Sequence, residues 1–289
     1  MIRPGKRGPL RLPDFLGIGP PRTGTTWLEK ILRGRVGLPE GVKETQFFTW
    51  RYWLGLDWYS RYFRNCPPDL PVGEFTPFYF DSSDARERIA NDLPGCRVIC
   101  TLRDPAERLY SHYRLLRRGG YTKSTFEHCA FGHRELLHSA QYADHLKAWF
   151  DRIGRERVLV LLHDDLFADR QNSLDRVCDF IGIDRFDVSK IDWAETLINK
   201  VERAPRSFRT ARRAQYVKRR MRRFRLHRLV DLCEPIFEYC ASGGAPFPPL
   251  DPLLADRIRA SLRPQTEALE KLIGRDLSAW KDHTETPAA

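Results

Sequence analysis

Phe15-Leu16-Gly17-Ile18-Gly19-Pro20-Pro21-Arg22-Thr23-Gly24-Thr25-Thr26-Trp27-Leu28 is the stretch on which the reading of this chain turns. Its first five residues form a short apolar run closed by Gly and Pro, as a buried strand does. From Thr25 onward Trp27, Leu28, Ile31 and Leu32 recur at helical spacing, so a helix should begin there. Between the two lies G-x-x-x-x-G followed by two hydroxyl residues. Such a turn aims backbone N–H groups and a helix N-terminus at an anion. A triphosphate-binding loop carries Lys directly after its second Gly, then a hydroxyl for magnesium. Here Thr25 takes the Lys position and a cation, Arg22, stands inside the loop instead. Pro21, Arg22, Thr23, Gly24, Thr25 and Thr26 are therefore candidate anion ligands, with no metal called for.

Outward from this loop the same grammar repeats. Cys96–Leu102 reads as a second buried strand, and Asp104-Pro105 opens a helix with Asp as N-cap and Pro in the first turn. Arg157–Leu162 reads as a third strand. A helix with Tyr142, Leu146, Trp149 and Phe150 precedes it, and one with Leu174, Val177 and Ile181 follows, stopping at Gly182. A last helix spans Leu253–Leu272 and ends at Gly274. Continuous apolar strands alternating with amphipathic helices predict an α/β fold with three α/β/α layers and a mainly parallel central sheet, like that of P-loop nucleotide hydrolases. Ligands of such sheets sit beyond the strand C-termini. With 289 residues, 42% of them hydrophobic, one domain over 1–289 is expected, carrying a basic, irregular insertion or lid at about 188–252.

Two further motifs carry chemistry. Arg103 leaves the second strand, and Ser111 follows in Arg103-Asp104-Pro105-Ala106-Glu107-Arg108-Leu109-Tyr110-Ser111-His112-Tyr113. An Arg fork with a hydroxyl suits a second phosphate. Lys43-Glu44-Thr45-Gln46-Phe47-Phe48, Trp58-Tyr59 and Gly73-Glu74-Phe75-Thr76-Pro77 form a third group.

Taken together, these motifs resemble the sulfotransferases that use 3′-phosphoadenosine 5′-phosphosulfate (PAPS), in the group holding heparan sulfate and bacterial carbohydrate enzymes. The resemblance covers about 14–185, and 253–280 more loosely. It implies that the loop Pro21–Thr26 holds the 5′-phosphosulfate and that Arg103 and Ser111 hold the 3′-phosphate. It also implies that Glu44 is the general base, with Arg22 and Lys43 neutralising the leaving oxygen. The product would be 3′,5′-adenosine bisphosphate. Of Arg203, Arg206 and Arg209, which stand in for the family's missing Lys-Gly-Arg element, Arg206 is the further nucleotide ligand expected.

Phe75 replaces a Lys found in many relatives, and Gln46 replaces a His. Both departures point away from a polyanionic acceptor toward an apolar-flanked one, with Trp50, Tyr52, Trp53, Trp58 and Tyr59 as candidate lining. The acceptor is expected to be a glycan, a glycolipid or a small phenolic metabolite. An ATP-dependent kinase is disfavoured by Thr25 and by the Arg103/Ser111 pair.

Composition sets the remaining bounds. Lys and Arg number 49 against 38 Asp and Glu, a net charge of +11, much of it within 203–228. That stretch suits an anionic membrane surface or an acidic substrate, while no stacking motif or zinc finger supports specific nucleic-acid binding. Seven Cys without a CxxC pair read as buried free thiols of a reducing cytoplasm, with Cys233 and Cys240 the one pair worth checking for a bridge. The His spacing offers no metal site. No apolar run is long enough for a membrane span, and no signal peptide is expected.

Overall fold

Every residue of the strand Phe15–Ile18 (β1) is buried, although successive side chains point to opposite faces, so this strand is covered on both sides. It pairs in parallel with Gly73–Phe75 (β2) on one edge and Arg97–Leu102 (β3) on the other, and Val158–Leu162 (β4) completes the order β2-β1-β3-β4. The computed structural model describes residues 10–191, 203–223 and 226–281. By their internal contacts the residues fall into two compact units, Met1–Leu102 with His145–Thr196 and Arg103–Asp144 with Leu197–Ala289.

The first unit carries the sheet. Helix α1 (Thr25–Leu32) follows β1, α2 is Leu56–Ser60 and α3 is Ser83–Asp92. Trp27, Leu28, Ile31 and Leu32 of α1 pack with Phe15, Phe75, Ile99 and Leu161 of the four strands, so α1 lies on one face of the sheet. The expected α/β architecture with a parallel central sheet is present, and the expected strands and helices lie where the apolar patterns put them.

The β1–β2 register has a side-chain cause. Phe15 pairs with Gly73 and Gly17 with Phe75, and each ring lies over the opposite glycine. A Cβ on Gly17 would sit 2.0 Å from the Phe75 ring, and one on Gly73 would sit 2.2 Å from the Phe15 ring. The two rings meet edge to face at 6.1 Å. Position 75 thus faces the core under α1, and its Phe is 1% exposed. This corrects the expectation that Phe75 shapes the acceptor side.

The second unit packs α4 (Pro105–Arg118) with α5 (Phe126–Gly132), α6 (Arg134–His138) and the helix Pro252–Ile273. Its core holds Leu109, Tyr113, Cys129, Leu136, Ile258 and Leu262. Asp104 caps α4, accepting from the Glu107 amide at 2.8 Å and from Arg259 Nε at 2.9 Å. In the first unit α7 (Tyr142–Ile153), which begins in the second, leads through β4 to α8 (His163–Ala168) and α9 (Arg170–Ile181). Gly182 ends α9 at φ +76°.

The stretch expected to be irregular is largely helical where described. Helices span Phe208–Arg223, His227–Leu232 and Glu234–Ala241, and a two-stranded antiparallel ribbon pairs Arg203–Pro205 with Gly243–Pro246. Arg, Lys, Gln and Ala are good helix formers, and charge density masked that propensity. All seven cysteines are free thiols, Cys233 and Cys240 included. No helix among the described residues is long and apolar enough to cross a membrane.

Truncating Phe75 to Ala leaves Gly17 uncovered in the core. The variant should lose about 3–5 kcal/mol of unfolding free energy in guanidinium titrations. A loss under 1 kcal/mol would show that the ring does not hold the register.

Candidate active site

At the C-terminal ends of β1 and β3, neighbours whose onward connections run in opposite directions, the chain turns sharply into α1. Gly19 has φ +130° and presses on β3: an added Cβ would lie 2.3 Å from the Thr101 carbonyl oxygen. Only glycine fits there. Thr23 is fully buried, donates to the Pro20 carbonyl at 2.9 Å, and shares a 2.7 Å hydrogen bond with the Thr101 hydroxyl. Thr23 is thus a buried clamp between loop and β3, and its hydroxyl faces protein. Arg22 adopts φ +81°, a strained value for a side-chain-bearing residue. Gly24 caps α1 at φ +103° with no side-chain cap. The first-turn N–H groups of α1 therefore keep the positive end of the helix available to an anion.

A cation from elsewhere in the chain completes this site. Lys43 Nζ lies 2.9 Å from Thr26 Oγ1, 3.4 Å from Thr25 Oγ1 and 3.2 Å from Glu44 Oε1. The missing Lys of the loop is thus supplied in space by Lys43, whereas the sequence reading gave the loop cation to Arg22. Glu44 is partly exposed and also accepts from Gln46 Nε2 at 3.0 Å. Each carboxylate oxygen has two lone pairs, so Glu44 keeps acceptor capacity for a further proton donor. Gln46 is the second non-glycine residue at positive φ, +55°.

Arg103 directly follows β3. Its Nε and Nη2 reach Glu107 Oε2 at 3.2 and 2.6 Å. Ser111 is buried on α4, one turn beyond Glu107. Arg108, the other arginine of this motif, is fully buried and donates to Ser139 Oγ at 2.9 Å. Arg206 stacks on the Tyr239 ring at 4.6 Å and donates to its hydroxyl at 3.2 Å.

These features can be set beside known proteins. The Sulfotransferase domain family matches residues 12–222. The chain belongs to the sulfotransferase family. Bifunctional heparan sulfate N-deacetylase/N-sulfotransferase 4 of Mus musculus is 30% identical over 60% of this chain and 22% of its own length. The human bifunctional heparan sulfate N-deacetylase/N-sulfotransferase 2 is 30% identical over 65% of this chain and 25% of its own. The chain thus spans about a quarter of the length of these curated relatives. A sulfotransferase from Alicyclobacillus acidocaldarius shares the fold with a TM-score of 0.68, over 93% of this chain and 99% of that one at 21% identity.

In this family member the Lys43–Phe48 segment hangs from a residue to which motif reading gave no role. Glu74 of β2 is fully buried. Its Oε1 accepts from Tyr79 OH at 2.7 Å and Tyr59 OH at 2.9 Å, and its Oε2 accepts from the Thr45 amide at 3.3 Å. Thr45 is the residue after Glu44. Tyr79 OH in turn accepts from the Phe48 amide at 3.3 Å, and Arg88 caps the Phe48 carbonyl at 2.7 Å. Tyr59 stacks on Phe47 at 4.3 Å. Tyr59 is therefore core rather than cleft lining, while Trp50 and Trp53 are the exposed aromatics of this segment.

A second missed residue is Thr101, a lone hydroxyl in the apolar run of β3. A cavity of about 720 Å³ lies at the opposite end of the sheet beside Arg11, Asp14, Asp92 and Arg97, away from the loop. Among the described residues no group of three or more His, Cys, Asp or Glu side chains is placed to hold a metal.

Burial pushes Glu74 above the usual carboxylate range, although bonds from Thr45, Tyr79 and Tyr59 pull it down. Between its unfolded and its raised folded value the native state binds the extra proton, so this group's contribution to stability falls as pH rises. In Glu74→Gln that slope should vanish on the alkaline side of the ordinary carboxylate range. The amide nitrogen then faces either the Thr45 amide or the two Tyr hydroxyls, so at least one donor loses its acceptor and the variant should be about 1–3 kcal/mol less stable. Denaturant midpoints across pH test both; an unchanged slope would mean that Glu74 titrates as an exposed carboxylate.

Proposed function

We propose that this enzyme moves a sulfuryl group from PAPS to a hydroxyl or amine of a glycan or glycolipid acceptor, releasing 3′,5′-adenosine bisphosphate. The observation that carries the reading is the placement of Lys43, whose ammonium bridges the hydroxyls at the N-terminus of α1 and the carboxylate of Glu44. A cation, a base and an uncapped helix start thereby meet in one place. The donor fits this site: PAPS supplies an activated sulfuryl group, and its phosphosulfate is an anion of the size the Pro21–Thr26 turn can cradle.

The residues then divide the work. The amides of the turn and the Thr25 and Thr26 hydroxyls hold the phosphosulfate. Lys43 and Arg22 neutralise charge on the bridging oxygen as its bond to sulfur breaks. Glu44 takes the proton of the acceptor as the acceptor oxygen or nitrogen bonds to sulfur. Arg103 and Ser111 are assigned to the 3′-phosphate, and Arg206 is a further nucleotide ligand. Chain 1–289 is read as one sulfotransferase domain, a reading supported by the family match over 12–222, which includes parts of both units. The heparan sulfate N-sulfotransferase relatives support a sugar acceptor and an amine beside a hydroxyl.

Calorimetry with 3′,5′-adenosine bisphosphate should give one-site binding that Arg103→Ala weakens roughly tenfold to a hundredfold, the loss of one or two charge-assisted bonds. Glu44→Gln should keep that affinity while lowering kcat about 10²–10⁴-fold. Retained turnover in Glu44→Gln would place the base elsewhere. Binding of ATP with magnesium in place of the bisphosphate would overturn the donor.

A further inference from the structure

Residues 203–241 hold twelve Arg and Lys against three acidic residues, a net +9 of the chain's +11. On the helix Phe208–Arg223, Arg209, Arg213, Tyr216 and Arg220 follow at intervals of four, three and four, so they share one face, and all four are exposed. The opposite side of the helix is tied down: Ala211 is fully buried, and Lys218 pairs with Glu234 at 2.6 Å and lies over the Phe237 ring.

The neighbouring segment carries a second pattern. Leu229, Leu232, Ile236 and Tyr239 are spaced by three, four and three across the helices His227–Leu232 and Glu234–Ala241, and are 46%, 75%, 63% and 62% exposed. A single exposed leucine is ordinary, but an apolar row at helical spacing on helices packed against a strongly cationic one is a surface with a use.

We propose that this face docks on an anionic phospholipid membrane. The charge selects the occupant, since a surface with four times as many cations as acids complements an acidic leaflet. The apolar row separates a membrane from a soluble polyanion. Leucine and isoleucine gain by entering the acyl boundary and gain nothing from a nucleic acid or a sulfated glycan. Docking would hold the enzyme in the interface plane, where acceptors with a lipid tail reside.

The full chain should co-sediment with vesicles of phosphatidylcholine and phosphatidylglycerol at low salt, and not with phosphatidylcholine alone. Leu232→Asp with Ile236→Asp should reduce partitioning at least tenfold, as should Arg213→Glu with Arg220→Glu. Affinity for 3′,5′-adenosine bisphosphate in solution should stay unchanged in both, which separates lost docking from a lost fold and from failure of the sulfotransfer reading. Vesicle binding that the Asp pair leaves intact would overturn the proposal in favour of a polyanion surface. Concentration-dependent dimers abolished by the Asp pair, without vesicle binding, would overturn it in favour of a second copy of the chain.

Discussion

The three hydrogen bonds that converge on the Glu74 carboxylate are the constraint from which the catalytic end of this fold is suspended. A carboxylate buried in an aromatic cluster is costly unless donors surround it. Tyr59, Tyr79 and the Thr45 amide are those donors, and each belongs to a segment the site needs. Because Thr45 is held, Lys43 and Glu44 leave a fixed point. Because Glu74 lies on β2, that point is referenced to the sheet from which the phosphate loop also springs. Glu44 and the Pro21–Thr26 turn thus share one rigid frame, which is what the proposed chemistry requires of them.

Strain is concentrated in the same region. Among the described residues the non-glycine positions at positive φ are Arg22 in the loop and Gln46, two residues after Glu44. Each conformation costs on the order of 1–3 kcal/mol and persists only where the surroundings enforce it. For Arg22 the enforcement is Gly19 packed against the Thr101 carbonyl and Thr23 bonded to its hydroxyl. For Gln46 it is Arg51 and Arg88 gripping the Thr45 and Phe48 carbonyls.

What the sequence disclosed follows a physical line. Features set by local pattern were readable: the apolar strands, the Asp104 cap, the glycine stops at 182 and 274, and a loop whose frame fits an anion. Features set by which residues meet in space were not. Nothing in the order of residues tells that Lys43 reaches Thr26, that Thr101 clasps Thr23, or that Phe75 points into the core because Gly17 leaves room for it. Nor could spacing alone separate Arg103, at a strand end, from Arg108, sealed against Ser139. The helices between 208 and 241 were hidden for another reason, since their apolar rows are short and lie among arginines.

The ion pair between Arg103 and Glu107 changes what recognition at that position means. An incoming phosphate does not meet a bare cation; it meets a guanidinium already occupied by a tethered rival of the same sign. Capture there is an exchange of one anion for another, and a ligand succeeds only by offering more than a single carboxylate does. The carboxylate of Glu107 would thereby act as a threshold for any anion that is to pair with Arg103.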